Sequence, residues 1–471
     1  MTEASESNIR ESMLAILERQ KKAYIAEGFV TAKARLDRLD RTINILEKNG
    51  RKLSEAMSTD FGHRSLEQSK FTDIDGSIGP LKDAKKHLTR WMKPEKRKAM
   101  FPLGLFGSRA RVEYQPLGVI GCISPWNFPV QLTFSPLAGV FAAGNRTMIK
   151  PSEFTPATSE LMKDLFAEAF DEEEVAFFTG GAEVGSAFST LPFDHLLFTG
   201  ATSIAKHVMR AAAENLVPTT LELGGKSPVV ISKTADINLA ATNIMAGKTL
   251  NAGQICLAPD YVFLPEGKTE DFIIAAKESV KKMYPDLKDN SDYTSIVNDR
   301  HFDRLNSYLE DAKEKGAELV EINPADEDFS QQEFNRIPPT LIINPTEDML
   351  VMQEEIFGPI LPIKTYKEID EPLAYINDHA RPLGLYYFGQ DSNEETKVLT
   401  HTTSGGVTVN DVIMHIAQED LPFGGVGPSG MGSYHGHDGF KTFSHAKAIY
   451  TQSKTVSKLA AAIRPPYKKA Q

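Results

Sequence analysis

The sequence predicts an α/β fold: a doubly wound, mainly parallel sheet followed by a second α/β region. Three observations predict it. From Val112 onward, short apolar runs separated by Gly and Pro alternate with helical stretches, the texture of parallel strands joined by crossover helices. The chain has 471 residues, too many for one ordinary domain. Its chemistry-bearing polar residues cluster where strands are expected to end, and sheets of this type hold ligands beyond the carboxyl ends of their strands.

The elements follow in order. Over residues 8–60 apolar positions recur at helical spacing, first Ile9, Met13, Ile16 and Leu17, then Leu36, Leu39, Ile43 and Leu46. Asn49-Gly50 is expected to end the second of these helices. A further helix is expected over 73–91, broken by the basic, Pro-containing segment after it, and these helices read as the cover of a domain built later. Strands are expected over 118–124, 146–149, 175–178 and 195–198, with helices over 155–170, after Gly181, and over 203–215. Residues 219–223 and 229–232 read as the strands that close this series. A second alternating region runs from Asp236 to about Val426, with helices over 243–251 and 299–315, an acidic loop over 324–338, and a strand over 404–410. No internal repeat is visible.

Composition excludes several classes. Hydrophobic residues make up 41% and charged residues 24%, the balance of a soluble globular protein. With 52 basic against 63 acidic residues, the formal charge of -11 argues against a nucleic-acid partner. The basic cluster over 93–98 reads as a solvated loop. No apolar run approaches a membrane span, the N-terminus lacks a signal pattern, and the end of the chain reads as soluble, so no membrane partner and a cytoplasmic location are expected. Two cysteines make no disulfide framework. No metal is expected.

One of those cysteines is unusually placed. A lone Cys between Ile255 and Leu257 would ordinarily be a small buried hydrophobe. Here Gly253 and Gln254 precede Cys256, while Ala258 and Pro259 follow it, so a turn presents the sulfur. Cys122, in an apolar strand, reads as core.

Five segments, in order, resemble the motifs of the aldehyde dehydrogenase family: Pro125-Trp126-Asn127-Phe128-Pro129, Lys150-Pro151-Ser152-Glu153, Leu221-Glu222-Leu223-Gly224-Gly225-Lys226, Gly253-Gln254-Ile255-Cys256 and Glu354-Glu355-Ile356-Phe357-Gly358-Pro359. The similarity runs from the N-terminal helices to about Lys447. The closing segment Leu421–Gly432, with Tyr434-His435-Gly436, resembles the class 3 branch. Phe101–Leu105, Ile123–Pro129 and Leu137–Gly144 resemble the bacterial coniferyl aldehyde dehydrogenases within the family.

This resemblance implies roles. Cys256 would attack an aldehyde carbonyl, with Asn127 and the Cys256 backbone N–H as oxyanion donors and Glu222 as the base that activates water. Glu222 also implies release of a free acid, because relatives that pass the acyl group to coenzyme A or phosphate typically lack it. The apolar neighbours Leu221 and Leu223 are expected to raise the Glu222 pKa. The cofactor implied is NAD, with NADP possible. Trp126, Lys150, Ser152, Glu153, Leu223, Glu355 and Phe357 are its implied contacts, Lys150 and Glu153 at the adenosine ribose and Glu355 at the nicotinamide ribose. A carboxylate beside the adenosine 2'-hydroxyl disfavours a phosphate there, so Glu153 points to NAD.

Read as residues alone, Lys150 and Glu153 would form a surface ion pair, Glu355 would be a solvated acid and Asn127 a turn cap. The Gly-x-Gly-x-x-Gly match at 425–430 leads into no helix and is rejected as a phosphate loop. The pyrophosphate is assigned instead to Gly200, Ala201, Thr202, Ser203, Ile204 and Ala205, where the N–H groups and dipole of a helix start favour an anion. Compared with the family turn, Ala201 replaces a Ser and Ala205 a Gly. Gly181 and Gly185 match a turn near the adenine, or form a plain loop.

The implied substrate is coniferyl aldehyde or a similar aromatic aldehyde. The alternatives are a medium- or long-chain aliphatic aldehyde and a non-catalytic structural protein of the same fold. Leu132, Ser135 and Ile255 are candidates to line the substrate tunnel. The implied parts are a cofactor domain (1–98 and 117–224), a catalytic domain (225–428), and a small bridging β arm for oligomerisation with the tail (99–116 and 429–471). A homodimer or homotetramer is implied.

Overall fold

The structure is a computed structural model that describes residues 3–460 and Pro465; the rest of the expected soluble ending lies outside the described residues. The chain opens with helices Glu3–Glu27 and Ala32–Asp60, the second capped by Thr31, whose side chain accepts from Ala34 N. The stop expected at Asn49-Gly50 is not there. The helix runs on because its apolar face continues through Leu53 and Met57, and because the bare Gly50 faces Ile74, whose Cγ2 a Cβ there would meet at 3.1 Å. Packing outweighs the local stop signal. A short helix, Leu66–Ser69, passes into a π-helical turn, Lys70–Asp75, and then helix Gly76–Trp91.

The first sheet orders its strands Gly430–Met431, Thr219–Glu222, His195–Thr199, Val119–Ile123, Arg146–Lys150 and Val175–Phe177. All pairs are parallel except the first. Alternation sorts the side chains: Ile120, Cys122, Ile149 and Leu197 face the helices Ala32–Asp60, Gly76–Trp91, Leu137–Ala143 and Pro156–Ala167. Val119, Met148, Leu196 and Phe198 face Glu3–Glu27, Ala182–Ser189 and Thr202–Ala213. Helices on both faces make the strands read as continuous apolar runs. Each first-region motif then falls just beyond a strand's carboxyl end: Pro125–Asn127 after Ile123, Lys150–Glu153, Gly181 after Phe177, Gly200 after Thr199, and Glu222 itself.

Two strands sit elsewhere than the strand pattern placed them. The run over 229–232 belongs to strand Ser227–Ile231 in the middle of a second, seven-stranded sheet, paired with Pro259–Pro265 and Gly384–Phe388. Its apolar content marks a buried strand and carries no information about which sheet buries it. Conversely, Gly430–Met431, expected in the arm, pairs antiparallel with Leu221 and Glu222 at the edge of the first sheet. The second sheet continues through Ile360–Tyr366, Thr340–Ile343 and Glu318–Glu321 on one side and Gly406–Val409 on the other. A third sheet joins Glu95–Arg97, Arg109–Pro116 and Ser444–Thr451, the last two antiparallel over their whole length. Among the described residues, no helix is long and apolar enough to cross a membrane.

Candidate active site

The carboxyl ends of the first sheet and the start of the second sheet's domain enclose a cavity of about 990 Å³. Its wall carries Trp126, Asn127, Gly200, Ala201, Thr202, Ser203, Glu222, Leu223, Cys256, Glu355 and Phe357. Residues drawn from five separate stretches of sequence therefore meet in one space. Leu132 also reaches it, whereas Ser135 and Ile255 are buried away from its wall, Ile255 in the core shared with Phe134 and Phe141.

The nucleophile candidate sits on an unusual backbone. Helix Ile237–Thr249 ends in a 3-10 turn, Leu250–Gly253, where Asn251, Ala252 and Gly253 take φ of 50°, 51° and 72° in succession. Only Gly accepts this region without strain. Gly253 is needed for a second reason, since a Cβ there would lie 2.3 Å from the Gly358 carbonyl oxygen. The turn is held by its own side chains: Gln254 Nε2 donates to the carbonyls of Asn251 (2.9 Å) and Ser295 (3.0 Å), and Val297 N donates to Gln254 Oε1. Cys256 is left half-buried on the cavity wall.

Glu222 ends its strand buried, with 1% exposure, and its carboxyl faces the Cys256 thiol and has no other hydrogen-bonding partner among the described residues. Burial pushes its pKa up to about 7, against the pull of the thiol. Burial, then the carboxyls of Glu222 and Glu355, push the Cys256 thiol well above its ordinary value. The pair is thus set up so that a proton leaving sulfur has an adjacent oxygen to go to.

Asn127 is 3% exposed and does not merely cap its own turn. Its Nδ2 donates to Gln254 O (3.1 Å), which spends one of its two hydrogens. Its carbonyl accepts from Asn251 Nδ2 (3.1 Å) and from Arg64 Nη1 (3.0 Å).

Opposite, Glu355 is half-buried: it takes the Gly225 amide, its buried Oε1 has no partner among the described residues, and desolvation raises its pKa to about 8. Gly224 makes room for it, since a Cβ there would lie 2.2 Å from Glu355 Oε1. Phe357, at φ 50°, meets Trp126 edge-on with ring centroids 5.3 Å apart. Lys226 pairs with Asp260 and donates to the carbonyls of Val351 (2.8 Å) and Glu354 (2.9 Å), while Asp260 Oδ2 accepts from Ile356 N.

The remaining candidates lie beside the cavity. Lys150 is buried, its Nζ 3.0 Å from Glu153 Oε2 and 2.9 Å from Pro151 O, so the pair is an ion pair with its cation inside the fold. Ser152 Oγ accepts from Phe154 N. Gly181 precedes helix Ala182–Ser189, and a Cβ on Gly185 would sit 3.8 Å from the Lys150 side chain, which places these residues together. At helix Thr202–Ala213 no side chain caps the start. Thr202 Oγ1 donates to Pro428 O, Ile204 is exposed, and Ala205 is buried in the core. Gly425 and Gly430 pack tightly against Ser429 and Leu221 backbone instead of opening towards a ligand.

The site residues missed in the sequence are those that hold others: Arg64, Asp73, Asn251, Gln254, Lys226 and Asp260. Asn251, Gln254 and Lys226 stand inside or beside quoted motifs, and that adjacency was their only signal. Arg64 and Asp73 had none.

The pattern of the aldehyde dehydrogenase family matches residues 4–449. The chain belongs to that family. A probable coniferyl aldehyde dehydrogenase of Caulobacter vibrioides is 62% identical over 453 residues, covering 96% of this chain and 93% of the relative. A coniferyl aldehyde dehydrogenase of a Pseudomonas species is 55% identical over 460 residues, covering 98% and 95%. Among solved structures, the substrate-bound state of Staphylococcus aureus AldH superposes with a TM-score of 0.88 at 36% identity, covering 96% of this chain and 99% of that one. Membership makes this an oxidoreductase acting on aldehydes, and the family's cofactor is a nicotinamide dinucleotide.

The residues present fit that cofactor. A half-buried carboxylate at Glu355 with one buried oxygen unpartnered among the described residues, an uncapped helix start at Thr202 and an aromatic wall at Trp126 and Phe357 supply a hydroxyl acceptor, an anion site and a flat apolar surface in one cavity.

Proposed function

We propose that this enzyme oxidises coniferyl aldehyde or a closely similar aromatic aldehyde to the free carboxylic acid, using NAD(P)+, with Cys256 as nucleophile. The observation that carries the reading is the meeting of Cys256, Glu222 and Asn127 on one cavity wall, with the Glu222 pKa raised to about 7. The names of the two bacterial relatives support the aromatic substrate.

The steps follow from the geometry. Glu222 takes the thiol proton as Cys256 sulfur bonds to the aldehyde carbon, and the carbonyl oxygen becomes an oxyanion. The unspent Nδ2 hydrogen of Asn127 is the donor for that charge, and losing such a donor typically costs about 10²- to 10³-fold in rate. Bound NAD(P)+ supplies the acceptor for the hydride that leaves the same carbon. A thioester on Cys256 remains. Glu222 gives the thiol proton up to solvent and, ionised again, removes a proton from water as the water oxygen attacks the thioester; the C–S bond breaks to give the acid, and the departing Cys256 thiolate takes the proton back from Glu222. A carboxylate with a pKa near 7 suits both transfers.

Glu355 would hold the nicotinamide ribose, Lys150 and Glu153 the adenosine ribose, and the backbone of Gly200–Ala205 the pyrophosphate. Glu153 favours NAD over NADP for the charge reason given above. Residues 1–98 and 117–224 form the cofactor part, 225–428 the catalytic part, and 99–116 with 429–471 the arm, except that strand Glu95–Arg97 pairs within the arm's sheet and Gly430–Met431 within the cofactor part's. The exposed strand Ser444–Thr451 and the exposed Met100, Phe101 and Leu105 of the same arm support assembly through the arm into a homodimer or homotetramer. A nucleophilic thiol that must stay reduced fits a cytoplasmic location.

The test is NADH formation at 340 nm with coniferyl aldehyde and with hexanal, for wild type and Cys256→Ala. Turnover of coniferyl aldehyde that vanishes in the variant is expected. A faster rate with hexanal would transfer the assignment to aliphatic aldehydes, and a fully active variant would remove Cys256 from the mechanism.

A further inference from the structure

We propose that the buried pair Arg64–Asp73 is a positioning device for Asn127, fixing the oxyanion donor from a part of the chain that never touches the cavity; this rests on the reading of Asn127 given above. Both side chains are fully buried, at 0% exposure, with Arg64 Nη2 2.7 Å from Asp73 Oδ2. Arg64 Nη1 donates to the Asn127 carbonyl at 3.0 Å. Asp73 Oδ1 accepts from the Val130 and Gln131 amides at 3.2 and 3.3 Å. The pair therefore grips the turn 127–131 at three backbone atoms on both sides of Pro129.

Stability does not account for such a pair. A buried ion pair usually stabilises no more than an apolar pair of the same volume, because removing two charges from water offsets their attraction. What the pair offers is geometry. The planar guanidinium delivers two directed donors, one to a carboxylate and one to a carbonyl. Phe61 and Phe128 flank it, with ring centres 5.0 and 5.1 Å from Cζ, which limits its movement. Asp73 stands on the π-helical turn Lys70–Asp75, a form that is rare and concentrated at functional sites.

The object being positioned is the second Nδ2 hydrogen of Asn127. The first is held by Gln254 O, the residue pair before Cys256, so the amide plane is set by the backbone of the 127–131 turn on one side and by the nucleophile turn on the other. Asn251 Nδ2 donates to both the Asn127 and Gln254 carbonyls (3.1 and 3.2 Å), locking the two turns to each other. Misplacing a reacting or stabilising group by about 1 Å can cost on the order of 10²-fold in rate. Arg64 and Asp73 prevent that displacement.

The decisive experiment is a double-mutant cycle between the brace and its object. Arg64→Met with Asp73→Leu removes both charges and leaves neither unpaired. We expect kcat to fall roughly ten- to hundredfold while KM for NAD and the rate of Cys256 alkylation by iodoacetamide stay within about twofold. Arg64→Lys, which keeps the charge but loses the fork, should recover part of the loss. In the Asn127→Ala background, the same double substitution should cost nothing further, since the donor it positions is gone. An equal fall in both backgrounds, or kcat within about twofold of wild type, overturns the brace. If the double variant does not fold, Arg64→Lys alone, which keeps both charges paired, provides the same cycle against Asn127→Ala. Full turnover in Asn127→Ala alone would overturn the donor assignment itself, and that outcome is read without any change at Arg64 or Asp73.

Discussion

The turn that carries Cys256 is held by side chains from other parts of the fold, whereas around Gly200 the chain offers bare backbone at the start of a helix. Asn127, Asn251 and Gln254 are buried to within 3% exposure and bonded to one another, and behind them stand Arg64 and Asp73. At the other end Ala201 is exposed, Ile204 is exposed, and no side chain caps the helix. The difference is what the proposed roles of the two ends require. Charge that develops on one oxygen during a reaction needs donors already in place, and small displacements are costly. A diphosphate needs only amides and a dipole, which any helix start supplies.

Glu222→Gln tests the braced end most strongly. Steady-state turnover should drop by about 10²- to 10⁴-fold, because the variant can no longer deprotonate water. Only the ionised carboxylate is a base, so with a pKa of about 7 the wild-type rate of thioester hydrolysis should climb as pH rises through 7 and level off above it. That limb should be absent in Glu222→Gln, and its persistence would assign the titration to another group.

Gly253→Ala comes next. Its Cβ would meet a carbonyl oxygen at 2.3 Å in a backbone region that Ala resists, so the nucleophile turn must shift. A loss of kcat of about 10²-fold is expected, accompanied by a lower melting temperature in circular dichroism. A neutral result would mean that the turn tolerates movement and that the contrast between the two ends is overstated.

Glu355→Gln addresses the cofactor face. Calorimetric titration with NAD should show affinity about tenfold weaker, since an ionised acceptor of hydroxyl bonds becomes a neutral one. Wild-type affinity should strengthen as pH rises through about 8, where the carboxylate forms, and the variant should lose that dependence. Ala201→Ser should have the smallest effect, at most about a threefold gain in NAD affinity from one exposed hydroxyl–phosphate bond. A gain of a hundredfold would show that this end, too, depends on directed side chains.

The proposed reacting groups stand out in the sequence because each lies in a short local motif whose residue types suit the proposed chemistry. Cys256 stands in a Gly-containing turn, Glu222 between two leucines at a strand end, and Asn127 between aromatic residues and prolines. Helix and strand periodicity likewise located most elements, since a face that must be buried repeats every 3.6 or 2 residues. Where the structure differs, the deciding contact is remote in sequence. Gly50 fails to end its helix because Ile74 packs on it, and strand Ser227–Ile231 joins the second sheet because Tyr386–Phe388 and Val262–Phe263 pair with it.

The sequence by itself determined the alternation of strands and helices, the presence of a displayed thiol, and a carboxylate with apolar neighbours. Tertiary structure alone decided that this carboxylate faces that thiol with no other partner among the described residues, and that Glu355 is drawn half into the fold with Oε1 buried. It alone decided that an arginine and an aspartate from the helical cover hold the Asn127 turn. The reason is physical: periodicity and motif are properties of neighbours along the chain, while burial, pKa and hydrogen-bond direction depend on groups that only folding brings within a few ångströms.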